Sequence, residues 1–150
     1  MGVLKHTDEK HTDDPSGTAA LGAKLAETLA PGDVVLVRGP LGVGKTVFIR
    51  GAARQLGVQG AISSPSFVIG RRHVASVGSV SHLDLYRLKS MANEDPALLD
   101  DYLTADAVAF VEWPDVAAEE LARLARSHQG RVVEVEMAFA GGDRRSLSIR

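Results

Sequence analysis

The sequence predicts an α/β fold: a single P-loop NTPase-type domain over residues 1–150, with a mixed parallel and antiparallel sheet flanked by helices. Three observations lead there. Gly39-Pro40-Leu41-Gly42-Val43-Gly44-Lys45-Thr46 fits G-x-x-x-x-G-K-[ST] without a gap. Just before it, Val34-Val35-Leu36-Val37 is a continuous apolar run, the pattern of a strand buried on both faces. Just after it, Phe48, Ala52 and Leu56 recur at helical spacing, with Ile49 and Ala53 beside them and Gly57 as a stop.

The remaining elements follow in chain order. Val3-Leu4 suits a short edge strand, whereas Lys5 to Asp14 is polar and poorly patterned, and His6 and His11 within it read as solvated. Pro15 or Ser16 starts a helix, with Asp13 and Asp14 at its positive end. Leu21, Leu25 and Leu29 give that helix one apolar face, and Pro31-Gly32-Asp33 closes it. Beyond Gly57, Ser63-Ser64-Pro65-Ser66-Phe67 reads as a loop. Its position after the glycine-loop helix suits either a nucleotide-sensing switch or an ordinary connector.

Phe67-Val68-Ile69 and His73-Val74-Ala75 read as strand, broken by Gly70-Arg71-Arg72. Gly78-Ser79 reads as a turn and Val80 to Leu85 as a second strand, antiparallel to the first. Lys89 to Thr104 is mixed, with Leu98-Leu99 and Tyr102-Leu103 suggesting a short helix. Ala107 to Val111 is another buried run, ending in Glu112-Trp113-Pro114. Asp115 to Arg126 is an amphipathic helix with Val116, Leu121 and Leu124 inward. Val132 to Met137 and Ser146 to Ile149 are closing strands, with Gly141-Gly142 in their turn.

The chemistry expected of the loop follows from its residue types. Gly39, Gly42 and Gly44 can adopt backbone angles that a Cβ forbids, so N–H groups turn inward as an anion-binding nest. Pro40, Leu41 and Val43 fill the free positions of the same loop. Lys45 brings a flexible point charge to the outer phosphates, and Thr46 a hydroxyl for Mg²⁺. The helix starting there adds its dipole and free N–H groups. Such a loop also needs a carboxylate at the end of a neighbouring strand to hold Mg²⁺ or its waters, and Glu112 meets that description. Period two places His82, Asp84 and Tyr86 on one strand face, three polar groups aligned in an apolar run. Trp113, the only tryptophan, either packs in the core or flanks the site, and its sequence position favours the core.

Composition removes several classes. The chain is 45% hydrophobic, as a globular domain is, and has no cysteine, which excludes disulfides and thiolate metal sites. No apolar run reaches membrane-spanning length, and Met1 to His6 carries no secretory apolar segment, so the cytoplasm is the expected compartment. A formal charge of −2 argues against strong unaided nucleic-acid binding; Arg71-Arg72 and Arg144-Arg145 are the local basic exceptions.

The order of the motifs resembles the TsaE family, small bacterial P-loop ATPases. The matching residues are Gly39 to Thr46, Ser64-Pro65-Ser66-Phe67, His82-Leu83-Asp84-Leu85-Tyr86-Arg87 and Glu112-Trp113-Pro114, and the resemblance spans roughly residues 14 to 114. It implies ATP and Mg²⁺ as cofactors and slow, partner-dependent ATP hydrolysis. The implied role is in making threonylcarbamoyladenosine in tRNA, on a complex of a carbamoyl-transferring enzyme and its non-catalytic paralogue rather than on tRNA directly. By that similarity Lys45, Asp84 and Glu112 are the catalytic set, and Thr46 and Glu112 bind Mg²⁺. Trp113 lies near the nucleotide, and the base is held by Thr18 and by Arg144 or Arg145. Pro40, Ser66 and Leu83 depart from the family pattern, and none of them is a proposed ligand.

Other functions fit the loop less well. A small-molecule kinase, with Asp84 or His82 taking the acceptor's proton, needs an arginine-rich lid, and residues 113 to 130 offer Arg123 and Arg126. A GTP switch needs N-K-x-D, which is lacking. A non-catalytic subunit whose bound ATP shapes a partner interface remains compatible with the same residues.

Overall fold

A computed structural model of the chain describes residues 7–62, 69–92, 94–95 and 97–150. Its strands are Asp8–Thr12 (β1), Val34–Arg38 (β2), Gly70–Ala75 (β3), Gly78–Asp84 (β4), Ala107–Glu112 (β5), Val132–Phe139 (β6) and Arg145–Ile149 (β7). Its helices are Pro15–Ala26 (α1), Lys45–Gln55 (α2) and Ala118–Ser127 (α3). The strands form one sheet in the order β1-β7-β6-β2-β5-β4-β3. β2 lies parallel between β5 and β6, and β4 is parallel to β5. β1, β7 and β3 pair antiparallel at the edges, so the sheet is mixed, as the sequence predicts.

The apolar runs are continuous because both sheet faces are covered. Alternation splits each run between two cores. Val35, Val37, Val80, Val108 and Phe110 pack with Phe48, Ile49, Ala52 and Ala53 of α2. Val34, Leu36, Leu83, Ala109 and Val111 pack with Leu121, Leu124 and Ala125 of α3. Among the described residues no helix is long and apolar enough to cross a membrane.

The start of α1 is built as expected: Pro15 is at its first turn, and Asp14 caps it by accepting from the Gly17 N–H at 2.8 Å. Its buried face is different. Thr18, Gly22 and Ala26 are buried, while Leu21 and Leu25 sit at the flank and Leu29 lies beyond the helix end. The cause is a close approach to α2. A Cβ on Gly22 would collide with the Phe48 carbonyl, and one on Gly51 with the Ala19 carbonyl. Backbone against backbone leaves no room for leucines along the contact line.

Other differences have equally local causes. The polar segment before Asp14 does contain a strand, β1, because β7 offers an edge that pairs through backbone groups whatever the side chains. The expected strand at Val3-Leu4 and the loop Ser63 to Phe67 lie outside the described residues. β3 runs unbroken through Gly70-Arg71-Arg72, since at an edge the arginines can point to solvent. The turn falls at Ser76-Val77, and Gly78 opens β4 with φ +118. Residues 97–102 form turns rather than a helix, and Pro114–Ala117 is a single 3₁₀ turn before α3. Val116 is accordingly only half-buried.

One buried carboxylate fastens the turn ahead of β2. Asp33 is 3% exposed and accepts from the Ala30 N–H at 2.9 Å, the Arg131 N–H at 2.8 Å and the Arg131 guanidinium at 2.9 Å. Burial pushes its pKa up, but the bonds from Arg131 and Ala30 outweigh it and hold the carboxyl below the ordinary value.

Two measurements check this packing. Gly51→Ala is expected to lower stability by about 1–3 kcal/mol despite alanine's better helix propensity, because the methyl meets a fixed backbone. Gly17→Ala, whose Cβ meets nothing closer than Asp14 Oδ1 at 3.4 Å, should be neutral or slightly stabilising in the same urea titration. Asp33→Asn should cost about 1.5–3 kcal/mol near neutral pH. A group held below its ordinary pKa contributes fully above that value and loses its contribution as pH falls through the lowered one. The stability gap between parent and Asp33→Asn should therefore narrow in the acid range below the usual aspartate value, and a gap independent of pH would contradict this account.

Candidate functional site

The C-terminal ends of three adjacent parallel strands meet at one edge of the sheet. β2 runs into the glycine loop, β4 ends in Asp84, and β5 ends in Glu112. The register sets Asp84 opposite Glu112 and Glu112 opposite Val37. All three strands point the same way, so one residue type at each end suffices to build a cluster. This is where open parallel sheets bind ligands.

The loop has the backbone the glycines allow. Gly39, Gly42 and Gly44 have φ of 155°, 77° and 111°. At Gly39 a Cβ would lie 2.8 Å from the Met137 carbonyl oxygen and 2.9 Å from Val43 Cγ1, so only glycine fits. Gly44, left-handed, caps α2 without a side chain. Pro40 and Leu41 are exposed at the loop tip and Val43 is buried beneath it.

Lys45 is 5% exposed, and its Nζ donates to the Gly39 and Pro40 carbonyls at 2.7 and 2.9 Å. The ammonium also sits 4.3 Å over the Trp113 ring centroid. Burial lowers its pKa, opposed by Glu112 and then Asp84. Trp113 is therefore a half-buried wall of the site, not part of the core that its sequence position favoured. Its backbone is left-handed at φ 55°, and Tyr86 packs on its ring at 4.9 Å. Tyr86 lies past the end of β4 and so leaves the face of His82 and Asp84.

Glu112 is 4% exposed. Its Oε2 lies 2.6 Å from His82 Nε2 and 3.4 Å from Thr46 Oγ1. Asp84 accepts from the Tyr86 N–H at 3.0 Å. Burial raises the Asp84 pKa above the ordinary value, and the Glu112 charge adds to it, against the Tyr86 bond, His82 and Lys45.

The two arginines separate. Arg145 donates from Nε to the Val43 carbonyl at 2.8 Å, bonds the Gly142 and Arg144 carbonyls through Nη1, and stacks on Phe139 at 4.8 Å. Arg145 and Thr18 line a cavity of about 110 Å³ beside Gly42 and Gly44, with Pro15, Val47 and Asp143. Arg144 is exposed and does not line it. The Thr18 hydroxyl shares a 2.8 Å hydrogen bond with Thr12, tying β1 to the start of α1. A larger depression of about 410 Å³ lies on α3 among Glu119, Glu120, Arg123 and Arg126, on a different element from the loop and the acids.

The residues fit a nucleotide phosphate and a small hard cation. The cradle has no room for a Cβ at Gly39, and Thr46 Oγ1 and Glu112 Oε2, 3.4 Å apart, are the hard oxygens that would hold such a cation. Among the described residues no group of three or more His, Cys, Asp or Glu forms a metal cage. Mg²⁺ needs none, since it takes one or two protein oxygens with phosphate and water. Two features were missed from sequence: the buried contact of His82 with Glu112, and the bracing of the loop by Arg145. The shared strand face of His82 and Asp84 was a signal for the first; nothing local signals the second.

The family model described as "Threonylcarbamoyl adenosine biosynthesis protein TsaE" matches residues 12–145. The chain is 44% identical over 104 residues to the tRNA threonylcarbamoyladenosine biosynthesis protein TsaE of Streptomyces coelicolor, covering 67% of this chain and 70% of that one. Against the protein of the same name from Bacillus subtilis it is 32% identical over 137 residues, covering 91% and 81%. The crystal structure of Bacillus subtilis YdiB aligns with a TM-score of 0.74 at 27% identity, over 99% of this chain and 87% of that one. Since the matched span takes in the glycine loop and both acids, the chain belongs to the TsaE family.

Proposed function

We propose that this chain binds ATP with Mg²⁺, hydrolyses it slowly, and serves threonylcarbamoyladenosine modification of tRNA in the cytoplasm. It acts on a complex of a carbamoyl-transferring enzyme and its non-catalytic paralogue rather than on tRNA itself. The observation that carries this reading is the convergence of Lys45, Thr46, Asp84 and Glu112 at one sheet edge in a TsaE-family chain.

Each residue has a distinct task. The loop N–H groups and the α2 N-terminus hold the phosphates, and Lys45 turns from the Gly39 and Pro40 carbonyls to the outer ones. Thr46 and Glu112 hold Mg²⁺, which supplies positive charge against that building on the transferred phosphoryl group. Asp84, level with Glu112 and kept more basic than an ordinary aspartate, orients the attacking water and accepts its proton. Thr18 and Arg145 border the base, in the cavity next to the loop. Arg145 is committed to backbone carbonyls and to Phe139, so it braces the loop instead of reaching the phosphates. The chain's own chemistry is therefore slow, because an arginine finger is worth roughly 10³–10⁵ in rate.

Three variants separate the tasks. ATP is titrated with and without Mg²⁺ while Trp113 emission is followed, and phosphate release is measured alongside. Lys45→Ala should lose about 1.5–3 kcal/mol of ATP binding, one to two decades, with the fold retained. Glu112→Ala should lose the Mg²⁺-dependent part alone. Asp84→Ala should bind nearly as the parent does and mainly slow turnover. Loss of Mg²⁺-dependent binding in Asp84→Ala, with Glu112→Ala unaffected, would exchange the two roles.

The partner reading is checked by turnover. Steady-state hydrolysis by the purified chain should be slow and should rise when the transferase and its paralogue are added. Fast hydrolysis by the chain alone, unchanged by the complex, would count against it.

A further inference from the structure

We propose that His82 is the positioning residue for Glu112, and so sets the Mg²⁺ requirement of nucleotide binding. The proposal rests on Glu112 being the metal carboxylate, as argued above. Four observations carry it.

The first is reach. β4 and β5 are parallel with His82 opposite Phe110, so Glu112 is the diagonal neighbour two residues on, toward the sheet edge. His82 therefore approaches the carboxylate from the core side, while Thr46 meets it from the loop side. The second is burial. The two side chains are 1% and 5% exposed, so neither can exchange this partner for water.

The third is the identity of the atoms in contact. His82 Nε2 and Thr46 Oγ1 both meet Oε2, at 2.6 and 3.4 Å, and among the described residues no hydrogen bond reaches Oε1. The imidazole thus anchors one oxygen of the carboxylate and leaves Oε1 without a hydrogen bond among the described residues. The fourth is the tautomer. Nε2 faces a carboxylate oxygen, so it carries the proton, and Nδ1 has no partner among the described residues. A proton on Nδ1 would be a buried donor without an acceptor, so the ring is held as the Nε2–H donor. A histidine orienting a carboxylate that in turn binds a metal is a second layer of ligand support, whose loss typically costs 10–100-fold in metal affinity.

The test uses the full chain and Trp113 emission. ATP affinity is measured without Mg²⁺ and then across a Mg²⁺ titration, for the parent, His82→Gln, His82→Asn, His82→Leu and Glu112→Ala. The Gln amide reaches where Nε2 is, whereas the Asn amide stops near Nδ1. Expected is a Mg²⁺ midpoint raised about 10–100-fold in His82→Asn and His82→Leu, near the parent in His82→Gln, with Mg²⁺-free affinity unchanged throughout. If His82→Leu does not fold, the Asn and Gln pair decides alone.

Parent-like midpoints in Asn and Gln alike overturn the proposal. So does an equal fall of Mg²⁺-free and Mg²⁺-dependent binding in Asn, which marks general damage to the site. Glu112→Ala keeps the two readings apart. If it loses the Mg²⁺ effect while Asn does not, Glu112 stays the ligand and the positioning role is wrong. If it keeps the Mg²⁺ effect, the metal assignment is wrong, and this inference falls with it.

Discussion

The parallel alignment of β2, β4 and β5 is the constraint on which the rest of the structure depends. It brings three strand ends to one edge, where β2 delivers the glycine loop and the other two deliver a carboxylate each. A one-residue slip of β4 against β5 would turn Asp84 to the α3 side and put Leu83 in its place. What resists the slip is that the two faces differ: Val80 and Leu83 belong to different apolar cores, and a slip would drive His82 and Asp84 into the α3 core and break the His82–Glu112 contact. Two apolar cores thus hold a polar register in place.

The second constraint is the distance between α1 and α2. Gly22 and Gly51 let the helix backbones touch, which brings Thr18 and Pro15 to the side of the loop. Asp33 then fastens the return of the chain from α1 into β2 through Arg131, on the neighbouring strand's approach. The loop is braced from a third direction by Arg145, which reaches the Val43 carbonyl from β7. Helix, strand and hairpin all bear on eight residues whose glycines could not hold that shape unaided.

Charge is concentrated rather than spread. Lys45 and Glu112 are buried and Asp84 half-buried, and they act on one another: burial lowers the lysine pKa against the pull of both acids, and burial, then the Glu112 charge, raises that of Asp84. Trp113 covers the lysine and Tyr86 covers Trp113, which lowers the local dielectric and strengthens each of these interactions. Asp84 is half-buried with a raised pKa, and Glu112 beside it is buried against a histidine, so two chemically similar acids sit in different environments.

Much of this was legible in the chain. The glycine loop, the apolar runs Val34 to Val37 and Ala107 to Val111, and the α2 pattern of Phe48, Ala52 and Leu56 follow from local sterics and periodicity, which a sequence displays directly. The place of Glu112, closing a buried strand next to the loop strand, was legible too. β1 was not, since edge pairing through backbone atoms leaves no side-chain pattern. The leucines of α1 misled, because the helix contact was set by glycines, whose contribution is the lack of a side chain. By itself, then, the sequence determined the fold class, the loop and the acids that face it. The tertiary structure decided that His82 grips Glu112, that Trp113 covers Lys45 and that Arg145, not Arg144, braces the loop. Those contacts join residues 30 to 102 positions apart, and only strand register and helix packing bring such residues within bonding distance.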